Sequence, residues 1–293
     1  MIFGAHVGVS GGYPAAVDYA MSVGCECIQV FAKSPRQWNA RPLDPAVAGA
    51  FKDRMADVAM GPVFVHTAYL INLGSDDDAL WERSWQALAD ELARGELLGA
   101  TGVVTHVGTL YKRDPEQTAS RIARGIDLAW ALSGMRQTRL LLENTAAAGT
   151  TYGDGPDELG AILHALEAAS GHVGVCLDTC HAHAAGWDLA APAEWDRLID
   201  GFESCCGMPI ELIHANDCAF GAGQHKDRHA WIGDGTIGLG GFACMIDEPR
   251  LASVPVIMEM PGEVPEKDAE NLRRLKALRD ACEECGTASA PQA

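Results

Sequence analysis

The sequence predicts an α/β fold: a single-domain (β/α)8 TIM barrel with a metal site at the C-terminal ends of its strands. Three observations carry that expectation. Short, continuous apolar runs alternate with amphipathic stretches along the whole chain. Strands buried on both faces read as such runs, and their alternation with helices implies a parallel sheet. Eight such units fit in 293 residues, which suits a closed barrel better than an open doubly wound sheet. Finally, run after run ends on His, Asp or Glu, and parallel α/β proteins carry their chemistry at the C-terminal ends of strands.

In order, a strand is expected over 2–9 and a helix over 13–23, stopped by Gly24. The intervening Gly8-Val9-Ser10-Gly11-Gly12 lacks both G-x-G-x-x-G and a phosphate-loop lysine, so it carries no nucleotide-binding signal. A strand over 25–31 leads through a loop to a helix over 46–60. The strand 63–66 ends on His66, and a loop then leads to a long helix over 77–98, stopped by Gly99. The strand 102–106 ends on His106 and is followed by a helix over 115–133. The strand 139–144 delivers Glu143. After a Gly/Thr-rich loop comes a helix over 156–169, opened by Pro156. The strand 173–178 ends on Asp178, with His181 three residues on, and a helix follows over 192–205. The strand 210–215 delivers His214. A Gly-rich loop over 216–241 then carries Asp227 and His229, and a short helix ends near 246. The strand 255–260 delivers Glu259, and an amphipathic helix over 265–285 closes the barrel. The barrel domain is expected over 1–286, with 287–293 as a frayed tail.

Composition narrows the class. The chain is 48% hydrophobic, and no run approaches the roughly 18 apolar residues of a membrane helix. The start lacks the basic and apolar segments of a signal peptide, so the cytoplasm is the expected compartment. Ten scattered cysteines in a chain this large read as reduced thiols. Cys282 and Cys285 have metal-type spacing but no second pair, and read as thiols of the last helix. The net charge of −18, from 22 basic and 40 acidic residues, opposes nucleic-acid binding when taken alone. Even three divalent ions would leave the chain strongly acidic.

A lone histidine at a strand end is ordinarily a hydrogen-bonded structural residue. Here five histidines and four carboxylates converge: His66, His106, Glu143, Asp178, His181, His214, Asp227, His229 and Glu259. Burying so many ionisable groups together is costly unless they are paired or metal-bound. Nine ligands fit two or three ions, and histidine with carboxylate suits Zn2+, with Mn2+ an alternative at one or more sites. Such a cluster activates water and stabilises charge on a leaving oxygen, the chemistry of phosphoester hydrolysis. His6 points towards the same mouth as a supporting or a structural residue, while His183 and His225 lie close to predicted ligands. Cys176, Cys180 and Cys218 read as core.

These residues resemble the endonuclease IV family, the metal-dependent apurinic/apyrimidinic endonucleases of base excision repair. The similarity spans nearly the whole chain. It includes Gly4-Ala5-His6-Val7, Lys33-x-x-Arg36-Gln37-Trp38 and His66-x-x-Tyr69-Leu70-Ile71-Asn72. It continues through Leu142-Glu143-Asn144-Thr145, Leu177-Asp178-Thr179-Cys180-His181 and Asp227-Arg228-His229 with Gly233-Asp234-Gly235. The resemblance implies three Zn2+ per chain: one held by His66, His106 and Glu143, a second by Glu143, Asp178, His214 and Glu259, and a third by His181, Asp227 and His229. It implies a hydroxide, oriented by the catalytic pair Glu143 and Glu259, that attacks the phosphate 5′ to an abasic site. The products would be a 3′-hydroxyl and a 5′-deoxyribose phosphate, and blocked 3′ ends would also be trimmed. It further implies a monomer acting on duplex DNA, with Arg36, Tyr69 and Leu70 on loops that wedge into the duplex. An abasic nucleotide is the cheapest to extrude into a barrel mouth, because no base pairs or stacks there. Two departures are visible: Val107-Gly108-Thr109 stands where the family tends to have Pro-Gly-Ser, and Met260 where Thr is commoner.

The rival reading is a metal-dependent sugar isomerase or epimerase on a related barrel. Such sites hold one or two ions on mostly carboxylates, whereas five histidines dominate here. A nuclease for other lesions, or a lesion-binding protein without catalysis, are further rivals. Side-by-side substrates separate the first of these, and chelator-sensitive cleavage excludes the second.

Overall fold

Apolar runs too short to be helices pair into a parallel sheet only if the sheet closes or is covered on both faces. Here it closes. The computed structural model describes residues 1–260 and 264–288, with 285–288 in backbone only. Its barrel strands are β1 (Ile2–His6), β2 (Cys27–Phe31), β3 (Val63–His66), β4 (Gly102–His106), β5 (Arg139–Glu143), β6 (Val173–Asp178), β7 (Ile210–His214) and β10 (Pro255–Met258). They close in the order β1-β10-β7-β6-β5-β4-β3-β2, with every pairing parallel. Two-residue strands β8 (Asp217–Cys218) and β9 (His229–Ala230) form a separate antiparallel pair. The helices are α1 (Tyr13–Val23), α2 (Pro45–Asp57), α3 (Asp78–Leu98), α4 (Pro115–Ser133), α5 (Pro156–Ala165), α6 (Thr179–Ala185), α7 (Pro192–Cys206), α8 (Gly238–Asp247) and α9 (Pro265–Ala288). The chain is a single-domain TIM barrel, as expected.

Side chains alternate across a strand, so each barrel strand feeds two cores. One set packs outward against the helices: Val63 and Val65, Val103, Leu140 and Leu142, Val173 and Val175, Ile213, and Val256. The other fills the lumen with one layer: Cys27, Phe64, Val104, Leu141, Cys176, Leu212 and Ile257. Two residues further along each strand the next inward layer is polar: Gln29, His66, His106, Glu143, Asp178, His214 and Glu259, joined by His6 from β1. The period of two therefore stacks the ionisable layer directly on an apolar floor. Below that floor, Arg139 Nε and Nη2 clasp the Glu211 carboxylate at 2.5 and 2.7 Å. Gly174 makes room for that carboxylate, since a Cβ there would sit 2.2 Å from Glu211 Oε1.

Several element bounds differ from expectation. Strands β1 and β10 end at His6 and Met258, where the chain turns into loops, and α5 stops at Ala165. Helix α6 arises in a stretch given no element from the sequence, and the β8–β9 pair within the loop expected over 216–241. Asp178 caps α6 by accepting His181 N at 2.7 Å, and Gly186 ends it. The last helix reaches Ala288, two residues into the expected tail, and 289–293 lie outside the described residues, as does the side chain of Cys285.

Candidate metal centre

Inter-strand register brings the polar layer together. His106 lies beside Glu143, and Asp178 beside His214, which in turn pairs with Ile257. Phe31 lies beside His66, and His6 beside Gln29. Ligand-type atoms then fall into compact sets, each within 4.8 Å: His66, His106 and Glu143; Glu143, Asp178, His214 and Glu259; and Asp178, His181 and His229. Asp227 joins the last set, with Oδ2 3.3 Å from His181 Nε2 and Oδ1 3.4 Å from His229 Nε2. All nine residues singled out from the sequence thus meet at one end of the barrel.

The histidine tautomers say what the cluster needs. A carbonyl oxygen can only accept, so a ring nitrogen facing one carries the proton and leaves the other nitrogen with a lone pair. His66 Nδ1 donates to Thr67 O at 2.8 Å, His181 Nδ1 to Asn144 O at 3.0 Å, and His229 Nδ1 to Glu259 O at 2.9 Å. His214 Nε2 donates to Gln29 Oε1 at 2.8 Å. The opposite nitrogens face carboxylates: His66 Nε2 lies 3.1 Å from Glu143 Oε2, and His214 Nδ1 lies 3.0 Å from Glu143 Oε1. Lone pairs aimed at anions repel unless a proton or a metal cation lies between them. A ring nitrogen tied to a carbonyl or amide while its partner faces the cluster is the usual arrangement of a metal-ligating histidine. His106 Nδ1 and His229 Nε2 are moreover buried without a hydrogen-bond partner. The donor set therefore fits divalent cations.

The electrostatics point the same way. Burial disfavours an imidazolium at His181, yet Asp178, Asp227 and Glu143 outweigh it and lift the pKa to about 10. Burial carries His106 down to about 4. Burial also works against the Glu143 anion, but the charges of His106 and His214 hold it well below the usual carboxylate range. Asp227 is held at about 2, against burial, by His181 and His229. Burial pushes Asp178 up. Glu143 and Asp227 are held ionised because positive charge sits among them.

Around this layer lie partners that the sequence reading did not single out. Gln29 donates to Glu259 Oε1 at 2.7 Å while accepting from His214. Asn216 donates to Asp178 Oδ2 at 2.5 Å and accepts Glu259 N at 2.8 Å. Asn144 accepts Asp178 N at 2.7 Å and donates to Asp178 O at 3.1 Å. Asp217, fully buried, accepts N–H bonds from Gly233, Gly235 and Ile237, and so folds the loop that carries Asp227 and His229. Only the strand-end placement of Gln29, Asn144 and Asn216 could have flagged them, because a neutral amide carries no signal of its own. His6 Nδ1 sits 3.2 Å from Glu259 Oε1, the supporting one of its two expected places. His183 is structural, accepting Leu189 N at 3.3 Å, and His225 is exposed. Thr109 keeps the hydroxyl that a serine would supply and accepts from Asn72 Nδ2 at 3.0 Å.

Above the cluster opens a cavity of about 640 Å³, lined by His66, Tyr69, Leu70, His106, His181 and Asp227 together with Trp38 and Thr145. Tyr69 is 63% exposed and stands edge-on to Phe31 with ring centres 5.6 Å apart. It is therefore not core. Leu70 is partly exposed and Arg36 exposed on the neighbouring loop. The acidic balance is uneven over the surface. Some cations, such as Arg250, Arg274 and Arg197, are held by carboxylates. Arg36, Arg41, Arg83, Lys112, Arg113, Lys226 and Arg228 make no ion pair among the described residues, and all lie on the loops or early helix turns at the mouth end. Lys52, Arg136 and Arg273, likewise without ion pairs among the described residues, lie elsewhere.

No helix among the described residues is long and apolar enough to cross a membrane. Residues 17–282 match the family described as Xylose isomerase-like TIM barrel. Over 278 residues the chain is 36% identical to the probable endonuclease 4 of Methanosphaerula palustris, covering 94% of this chain and 97% of that one. Among solved structures, endonuclease IV from Thermus thermophilus superposes with a TM-score of 0.85 at 36% identity, covering 96% of this chain and all of that one. A D-tagatose 3-epimerase-like protein superposes with a TM-score of 0.73 at 16% identity, a likeness of fold alone.

Proposed function

The chain belongs to the endonuclease IV family and is a nuclease of the hydrolase class, and from that premise we propose that it hydrolyses the phosphodiester 5′ to abasic sites in duplex DNA. The products are a 3′-hydroxyl and a 5′-deoxyribose phosphate, and the same site trims blocked 3′ ends. The observation that carries this reading is the convergence of nine His, Asp and Glu side chains with histidine lone pairs turned towards carboxylates. Three Zn2+ are the proposed complement, with Mn2+ the alternative. His66, His106 and Glu143 hold one ion, Glu143, Asp178, His214 and Glu259 a second, and His181, Asp227 and His229 a third. Bound there, the ions supply Lewis-acid polarisation of the phosphate and lower the pKa of water.

The protein's own groups do the rest. Glu143 and Glu259 are ionised in this field and orient the attacking water by accepting its hydrogen bonds. Gln29 and Asn216 fix the Glu259 side chain and backbone, so its carboxylate cannot swing away. The cavity beside the cluster, about 640 Å³ in volume, has room for an extruded sugar–phosphate. Arg36, Tyr69 and Leu70 enter the duplex and hold it bent, a use to which apolar and basic side chains are put elsewhere. Their exposure at the mouth supports this. Cations without a carboxylate partner at the same end give the acidic chain a face for phosphates. The protein acts as a monomer.

The test is incision of a duplex oligonucleotide carrying a tetrahydrofuran abasic analogue, with and without a strong chelator. That analogue cannot undergo lyase elimination, so any cut is hydrolytic. Metal-dependent cleavage on the 5′ side, leaving an extendable 3′-hydroxyl, is the expected result. No cleavage by metal-loaded protein, with turnover of a ketose instead, would overturn the reading.

A further inference from the structure

We infer that a buried ionic clamp on α3, made by Lys33 with Asp90, Glu91 and Arg94, positions the two loops that grip DNA. The inference rests on the reading that Arg36, Tyr69 and Leu70 enter the duplex. Those side chains sit on the loops that follow β2 and β3, and the first of these runs through 32–44 without regular structure. A wedge on a slack loop would lose much of its binding energy to the ordering of that loop. Something must fix the loops beforehand.

Lys33 Nζ donates to Asp90 Oδ2 at 3.0 Å and to Trp38 O at 3.3 Å, and lies 3.5 Å from Glu91 Oε1. The same Glu91 oxygen accepts Ala68 N at 3.1 Å, the residue just before Tyr69. Arg94 Nε donates to Asp90 Oδ2 at 2.9 Å, and its Nη2 reaches Arg41 O at 2.7 Å, near the far end of the first loop. Tyr69 N donates to Pro35 O at 3.1 Å and joins the two loops directly. One side-chain cluster thus holds the first loop at three points and the second at its root. Arg36 lies between Lys33 and Trp38, and Tyr69 and Leu70 follow directly on Ala68.

The cluster is not explained by stability. Lys33 and Glu91 side chains are 2% and 1% exposed, and desolvating such a pair costs as much as its attraction returns. An apolar pair of equal volume would serve the core as well. Glu91 Oε2 is buried with no hydrogen-bond partner, a further cost. What the charged groups provide and an apolar pair cannot is directed bonding to the backbone of both loops. We assign the four as positioning residues.

The test uses metal-loaded, full-length protein and the abasic-analogue duplex. Lys33→Met and Glu91→Gln are expected to raise KM about tenfold or more, because small misplacements of binding groups are expensive. The value of kcat at saturating duplex and the metal content should stay at the wild-type level. In an Arg36→Ala/Tyr69→Ala background, adding Lys33→Met should change KM less than twofold, because the clamp acts through those side chains. If Lys33→Met does not fold, Asp90→Asn gives the same readout, since Asp90 is half exposed and anchors both Lys33 and Arg94. Folded clamp variants with wild-type KM, or losses that multiply in the double background, would overturn the clamp while leaving the wedge reading intact. Wild-type KM in Arg36→Ala/Tyr69→Ala itself would overturn both.

Discussion

Replacing Gln29 by leucine tests whether the metal centre depends on its amide scaffold. Gln29 is fully buried and binds two site groups in opposite senses: its oxygen accepts from His214 Nε2 at 2.8 Å and its nitrogen donates to Glu259 Oε1 at 2.7 Å, the same nitrogen lying 3.0 Å from His6 Nδ1. Leucine fills much the same volume but leaves both groups unpaired. Each orphaned buried group costs about 1–3 kcal/mol. His6 Nδ1, 3.2 Å from the same Glu259 oxygen, softens one of the two losses. The expected cost to the metal-free protein is therefore about 3 kcal/mol, read as a lower urea midpoint at unchanged slope. Freed from its acceptor, the His214 ring can turn or change tautomer, and Glu259 loses its fixed position. Loss of such a supporting bond costs about 10–100-fold in metal affinity or activity. The assay is competition for Zn2+ with a chromogenic chelator, alongside incision of the abasic duplex. If Gln29→Leu bound zinc within threefold of wild type and cleaved at the wild-type rate, the claim that neutral amides orient this centre would be wrong.

Glu143→Gln and Glu259→Gln are expected to keep the fold by circular dichroism and to lose about 10²–10⁴-fold in incision rate; near-full activity in both would sink the proposed mechanism. The metal-free protein should be most stable near pH 6.5, since His106, held down at about 4, gives up stability as pH falls below its ordinary 6.5. His181 is raised to about 10, so its contribution is whole below its ordinary 6.5 and disappears as pH climbs through 10. Asp227 is lowered to about 2, so its contribution holds above its ordinary 3.8 and is lost as pH falls through 2. Metal replaces the protons in the loaded protein, so melting temperatures from pH 6.5 to 10 should fall in chelator-treated samples and stay flatter in loaded ones; equal slopes would refute the exchange. Log KM for duplex should rise with log salt, and Arg36→Ala should lower that slope by about one where Lys52→Ala leaves it unchanged. A salt-independent KM would remove the case for phosphate contacts.

How far the chain could be read without its tertiary structure follows from where each signal resides. Strand runs, helix stops at Gly24 and Gly99, and the repeated placement of His, Asp or Glu at the end of an apolar run are local features. They reported the barrel, the end of it that carries function, and the nine residues that meet there. What they could not report was register. Whether Glu143 lies between His66, His106 and His214 depends on inter-strand pairing and closure, and no window of sequence contains it. Helix α6 was hidden because the spacing of Asp178 and His181 suits a pair of ligands and is also that of a helix cap. The hairpin β8–β9 was hidden because its Asp217 gathers glycine amides well along the chain, at Gly233 and Gly235, and no local pattern announces that closure.

Net charge likewise misleads when it is summed. The total of −18 says nothing of which cations are neutralised by carboxylates, as Arg250 and Arg274 are, and which, like Arg36 and Arg228 at the mouth, are not, because pairing is a matter of distance after folding. Neutral amides such as Gln29 and Asn216 show no charge and no pattern, and acquire meaning only from the groups the barrel sets beside them. The sequence by itself therefore determined the fold class, the family and the ligand-type residues, all of which are written in short-range pattern. The grouping of those residues, their proton positions and the ion pairs of Lys33 under the loops that follow β2 and β3 were decided by closure of the sheet, which brings within 4 Å side chains far apart along the chain.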